Sequence, residues 1–87
     1  MDSDHQILKF PCSFPVKVMG LNNEAFTSTV VAVFRKHMTP AEFTCETRPS
    51  SGKKYLSLTI TFTANNREQL DAIYQDLNSE DLVLMTL

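Results

Sequence analysis

The sequence predicts an α+β fold: a ferredoxin-like two-layer sandwich, β-α-β-β-α-β, with a four-stranded antiparallel sheet and two helices on one face. Three observations carry this. Apolar residues recur at helical spacing in two stretches, near 23–38 and 66–78. Strand-period or short apolar stretches flank them, near 14–20, 42–48, 54–64 and 81–87. The order of these six stretches allows right-handed β-α-β crossovers that put both helices on the same side of the sheet.

Residues 1–6 read as a disordered tail, and 7–87 as a single domain, since 87 residues suit one core. Ile7 to Phe10 is a short apolar run stopped by Pro11. Phe10-Pro11-Cys12-Ser13-Phe14-Pro15 reads as an irregular lead-in, because two prolines favour extended backbone around them and disfavour a helix, with Phe10 or Phe14 packing on the core. The first strand centres on Val16–Met19, and Gly20 ends it where a turn would use positive φ. Asn22 or Asn23 then caps a helix from about Glu24 to Met38. Phe26, Val30, Val33, Phe34 and His37 share one face of it. Glu24 near its start and Arg35, Lys36 and His37 near its end suit the macrodipole, and His37 reads as a cap. The Thr27-Ser28-Thr29-Val30-Val31 run opposes a helix by propensity, and periodicity outvotes it.

Thr39-Pro40 breaks that helix. The second strand alternates Phe43, Cys45 and Thr47 with Thr44, Glu46 and Arg48, and Cys45 reads as a small buried hydrophobe. Pro49-Ser50-Ser51-Gly52-Lys53 is a turn cluster. The third strand is the clearest, with Leu56, Leu58, Ile60 and Phe62 alternating with Tyr55, Ser57, Thr59 and Thr61. Such alternation belongs to a sheet covered on one side. Asn65 with Glu68 resembles a capping box, and Leu70, Ile73, Tyr74 and Leu77 make the second helical stripe. A last strand takes Leu82-Val83-Leu84-Met85.

Composition narrows the function classes. With 43% hydrophobic and 21% charged residues, the chain is ordinary for a soluble domain. A net charge of −2 has the wrong sign for general nucleic-acid binding, so no DNA is expected. No apolar run approaches the ~20 residues of a membrane span, so no membrane is expected. The polar, acidic start of the chain is unlike a signal peptide, which leaves a cytoplasmic location as the expectation. A domain this small gains from self-association, which favours a homodimer.

The residues argue against most chemistry. His5 and His37 have no companion ligands at metal spacing, so no metal or other cofactor is expected. Cys12 and Cys45 form no CxxC and are expected as free thiols, and no base lies near Cys12 or Ser13 in sequence. Ser50-Ser51-Gly52-Lys53-Lys54 resembles the end of a phosphate loop but joins two strands, so it reads as a hairpin turn with solvated lysines. The exposed face of the third strand offers one tyrosine, without the glycine-aromatic motif of RNA recognition modules. The amides after Gly20-Leu21-Asn22, at the start of the first helix, are the more physical anion site.

Three stretches, Phe10-Pro11-Cys12-Ser13-Phe14-Pro15-Val16-Lys17-Val18-Met19-Gly20, Pro49 to Ile60, and Asp81 to Leu87, together resemble the YbeD-like family of small bacterial proteins of unknown function. The resemblance implies a fold similar to ACT regulatory domains, which bind small effectors such as amino acids, and an association with lipoate metabolism. It brings no catalytic residues. One departure is Leu84, where members often carry a basic residue. In ACT-like domains the effector sits by the loop after the first strand, which corresponds to Met19, Gly20, Leu21, Asn22 and Asn23 here. The resulting expectation is a non-enzymatic regulatory or adaptor module that binds a small metabolite or a protein partner. The adaptor form places the partner on the open sheet face, at Lys17, Arg48 and Tyr55. A pure protein-interaction domain is the first alternative, followed by an RNA-binding module and a cysteine-dependent enzyme.

Overall fold

A computed structural model describes residues 9–87. The tail assigned to 1–6, Ile7 and His5 lie outside the described residues. Strand β1 (Cys12–Leu21) leads into helix α1 (Glu24–His37). A 3-10 turn (Pro40–Glu42) then opens β2 (Phe43–Pro49). Strand β3 (Tyr55–Ala64), helix α2 (Arg67–Asn78) and a short β4 (Met85–Thr86) complete the order. The sheet is antiparallel throughout, with spatial order β2-β3-β1-β4. This is the ferredoxin-like α+β arrangement expected from the sequence.

Side-chain alternation on β1 and β3 builds the core. Val16, Val18, Leu58 and Ile60 are buried from the helix side, facing Phe26, Val30, Val33 and Phe34 of α1 and Leu70, Ile73 and Leu77 of α2. Each such side chain contributes about 1.5–3 kcal/mol by leaving water. Burial of four α1 residues explains why its Thr- and Val-rich stretch is helical: packing outweighs propensity differences of a few tenths of a kcal/mol per residue. Phe10 and Phe14 both pack against this core, and Phe14 meets Phe62 edge-on at 6.5 Å.

Several expectations require correction. The lead-in is irregular only at Phe10-Pro11, because from Cys12, opposite Ala64, β1 already pairs with β3. Pro15 fits inside the strand for a reason that backbone parity supplies. Lys17 and Leu87 exchange N–H···O bonds across β1 and β4, so the amides of Lys17, and of Pro15 two residues earlier, face β4. The β4 pairing starts only at Lys17, so the missing N–H of Pro15 points at an open edge.

Gly20 has no positive φ and lies within β1. A Cβ there would collide with the Phe26 ring and stand 2.6 Å from the Leu82 carbonyl oxygen, so close approach, not turn geometry, requires glycine. Positive φ falls instead on Lys53, at 59°. Cys45 is exposed, not buried: its face of β2 looks toward the helix layer, but no helix extends over it. The segment expected as a strand over 81–87 is a strand only at Met85–Thr86; it begins as a turn, with the Val83 N–H donating to Glu80 O at 3.1 Å. The α2 cap is Asn66, accepting from the Gln69 N–H, while Gln69 Oε1 accepts from the Asn65 N–H, so Gln69 takes the part assigned to Glu68. His37 does not cap its own helix. Its Nε2 lies 2.7 Å from Asp76 Oδ2 and ties α1 to α2.

Candidate functional site

The sequence-predicted site residues fall into two groups, and the structure separates them. Met19, Gly20 and Leu21 end β1, and Asn22 and Asn23 form the link to α1. Sequence reasoning offered the amides here to an anion. Most have acceptors within the protein. The Asn22 N–H donates to Lys54 O at 2.9 Å, the Asn23 N–H to Leu21 O at 2.9 Å, and the Phe26 N–H to Asn23 Oδ1 at 2.8 Å. The Asn22 side-chain amide donates to Lys53 O at 3.1 Å. Gly20 itself is buried beneath Phe26. These bonds fix the link between β1 and α1 and lock it to the β2–β3 turn.

The other group, Lys17, Arg48 and Tyr55, lies on the open sheet face, opposite the helices. Register places Lys17 across from Thr59, Arg48 across from Ser57 and Tyr55 across from Leu21. Lys17 and Arg48 line one shallow depression with Glu46, Ser57 and Thr59. Tyr55 stands outside it, with Lys54 Nζ 5.5 Å from its ring centroid.

Sequence reasoning missed the apolar half of this face. Met85 is opposite Met19, and Leu87 exchanges backbone bonds with Lys17, so both side chains share the open face with Leu21 and Tyr55. Leu21 is 44% exposed, Met85 49% and Leu87 65%. A contiguous apolar patch therefore adjoins the polar depression. The sequence held a partial signal, since Met19 and Leu21 fall on the outward phase of β1. The phase of Leu82-Val83-Leu84-Met85 could not be read, because all four residues are apolar.

The patch is held in place from behind. Tyr74 Oη donates to Leu87 O at 3.2 Å, and Thr86 Oγ1 to Asn78 Oδ1 at 3.3 Å, binding β4 to α2. Burial pushes the Tyr74 phenol up, which keeps its hydroxyl a donor. Nothing in the arrangement points to catalysis. Among the described residues no group of His, Cys, Asp and Glu is placed to hold a metal ion. Cys12 and Cys45 are both free, and desolvation raises the Cys45 thiol, which disfavours the thiolate nucleophile. Among the described residues no helix is long and apolar enough to cross a membrane.

Residues 5–87 match the family described as "Protein of unknown function (DUF493)". A UPF0250 protein of Paraburkholderia phytofirmans is 41% identical over 85 residues, covering 97% of this chain and 96% of that protein. A second, from Chromobacterium violaceum, is 40% identical over 87 residues, covering 99% and 98%. Among solved structures, protein HP0495 from H. pylori superposes with a TM-score of 0.78 at 24% identity, over 100% of this chain and 94% of that one. The uncharacterised protein TM1266 from Thermotoga maritima gives 0.64 at 9% identity, over 86% and 92%. Both likenesses show the fold. The chain belongs to the DUF493 family of small bacterial proteins, the YbeD-like family of the sequence resemblance.

Proposed function

We propose that this DUF493 protein is a non-enzymatic adaptor that binds a protein partner on the open face of its sheet. The observation that carries this reading is the patch of Leu21, Tyr55, Met85 and Leu87 beside the charged depression of Lys17, Glu46 and Arg48. A contiguous exposed apolar patch rimmed by polar groups is the usual signature of a protein interface. Tyrosine and methionine suit its centre, and the charges beside them set orientation and exclude wrong partners. The competing reading, an effector held at Met19–Asn23, has less support, because the amides of Asn22, Asn23 and Phe26 already have acceptors.

Affinity capture with the full chain, followed by mass spectrometry, tests the proposal. A partner retained by the wild type and by Glu68→Gln on α2, but lost with Tyr55→Ala and with Met85→Ser, supports it. Circular dichroism checks that each variant folds. Retention by all four proteins overturns it. So does a metabolite that raises the melting temperature of the isolated protein in a thermal-shift screen including amino acids and lipoate, if Asn23→Ala removes the effect.

A further inference from the structure

Strand β2 forms the edge of the sheet opposite β4. Among the described residues strand β2 pairs only with β3, and Thr44 to Pro49 are exposed on both faces. Parity identifies which of its backbone groups are unpaired. The odd residues of β1 direct their N–H and C=O groups toward β4, so its even residues bond to β3. Through the register, Ser57 and Thr59 of β3 then bond to Arg48 and Glu46. The Ser50 N–H donating to Tyr55 O at 2.9 Å has the same parity. Cys45 and Thr47 consequently point their N–H and C=O groups outward. Pro49 occupies the next outward position, where its missing N–H removes no bond within the monomer.

An unpaired edge is a template for another strand. For two copies pairing symmetrically and antiparallel, parity leaves registers centred on Cys45, Glu46, Thr47 or Arg48. Centring on Glu46 sets Glu46 against itself, and centring on Arg48 sets Arg48 against itself. Centring on Cys45 sets Glu46 against Thr44. Only centring on Thr47 puts Glu46 of each copy directly opposite Arg48 of the other. These residues are then non-hydrogen-bonded neighbours, the class with the closest side chains. Glu46 and Arg48 take part in no ion pair among the described residues.

We propose that β2 is a homodimerisation edge: two copies pair antiparallel about a two-fold axis at Thr47, cross-linked by reciprocal Glu46–Arg48 pairs. The two sheets become one continuous sheet, and both open faces look the same way, so the apolar patches are presented twice on one surface. Charges on an edge can also serve to repel other strands, but repulsion needs like charges opposite one another, and this sequence is self-complementary instead. A single strand pair buries less than the ~1,200 Å² of a standard interface, so the dimer is weak and reversible.

Sedimentation equilibrium on the full chain, at protein concentrations up to about 1 mM and low salt, tests the proposal. The wild type is expected to show a monomer–dimer equilibrium. Glu46→Arg and Arg48→Glu each place like charges opposite and should weaken it at least tenfold. The double reversal Glu46→Arg/Arg48→Glu should restore it to within about threefold, since the pair is re-formed with its signs exchanged. Thr47→Pro removes an outward N–H that the monomer does not use, and should abolish dimerisation with an unchanged circular dichroism spectrum. If that variant fails to fold, the double reversal still decides. A second measurement uses Cys12→Ser/Cys45→Ser/Thr47→Cys, which should oxidise to a disulfide-linked dimer because facing Cα atoms lie about 5.5 Å apart. A wild type that stays monomeric throughout, a dimer indifferent to the single reversals, or a double reversal that does not recover overturns the proposal.

Discussion

Gly20 shows how one residue can be read correctly as special and for the wrong reason. A glycine before a helix suggests a turn, yet here it is extended backbone that lets the Phe26 ring rest on β1. Nothing local in the sequence announces a ring arriving from the first turn of a helix. Gly20→Ala would force the Phe26 ring and the Leu82 carbonyl apart, and overpacking of this kind costs about 1–3 kcal/mol. Urea unfolding should show a lowered midpoint at unchanged slope. Glu42 offers a residue-scale test of electrostatics. Its carboxylate accepts from the Thr39 N–H at 3.0 Å and the Thr39 hydroxyl at 2.8 Å, and these bonds hold its pKa below the ordinary carboxylate value. A depressed folded pKa adds stability above the unfolded pKa, and that stability is lost as pH falls through the folded value. Glu42→Gln should therefore be less stable than the wild type at neutral pH. The difference should close on acidification below the ordinary carboxylate range, measured by urea midpoints at several pH values.

At the scale of elements, legibility followed the contrast between the two faces. Strand β3 alternates without a break, so its register was evident and every inward residue from Leu56 to Ala64 is buried. Replacing Leu58 or Ile60 by Ala should cost about 2–5 kcal/mol. Thr59→Val, on the open face, should cost less than about 0.5 kcal/mol. Denaturant midpoints of the three variants check both. Strand β2 has the same alternation, which gives the right phase but puts Cys45 inside, where the structure leaves it exposed. Alternation tells which way a side chain points. It does not tell whether a helix reaches that far, and neither helix does. The β4 segment failed for the opposite reason: apolar on both phases, it gave no contrast to read, and Leu82, Leu84, Met85 and Leu87 are all exposed. The open-face site was therefore half legible. Lys17, Arg48 and Tyr55 follow from the alternation of β1, β2 and β3, while the apolar residues of β4 depend on a register that only its bonds to Met19 and Lys17 define.

Across the whole molecule, stability is unevenly distributed, and the candidate surface lies at its weak margin. The two central strands, β1 and β3, pair over ten residues each and carry the buried face against both helices. Strand β4 pairs at only two positions and adds a few terminal bonds, including the mutual pair of Lys17 and Leu87. Amides in the central strands should therefore exchange with solvent only by global unfolding, and those of β4 by local opening. The tether from Tyr74 Oη to Leu87 O, at 3.2 Å, joins the backbone at the end of that strand to α2, beside the side-chain bond from Thr86 to Asn78. Tyr74→Phe removes it and leaves the ring in place. The expected global cost is about 0.5–1.5 kcal/mol, the net worth of one hydrogen bond. The local effect should be larger in kind: native-state hydrogen exchange should show faster exchange at Leu84, Leu87 and Lys17, with Val18 and Leu58 following only the global change. If Leu87 and Lys17 kept their wild-type rates, the Tyr74 bond would not be what holds β4. The apolar patch would then be a fixed surface, instead of one that α2 keeps in place through Tyr74.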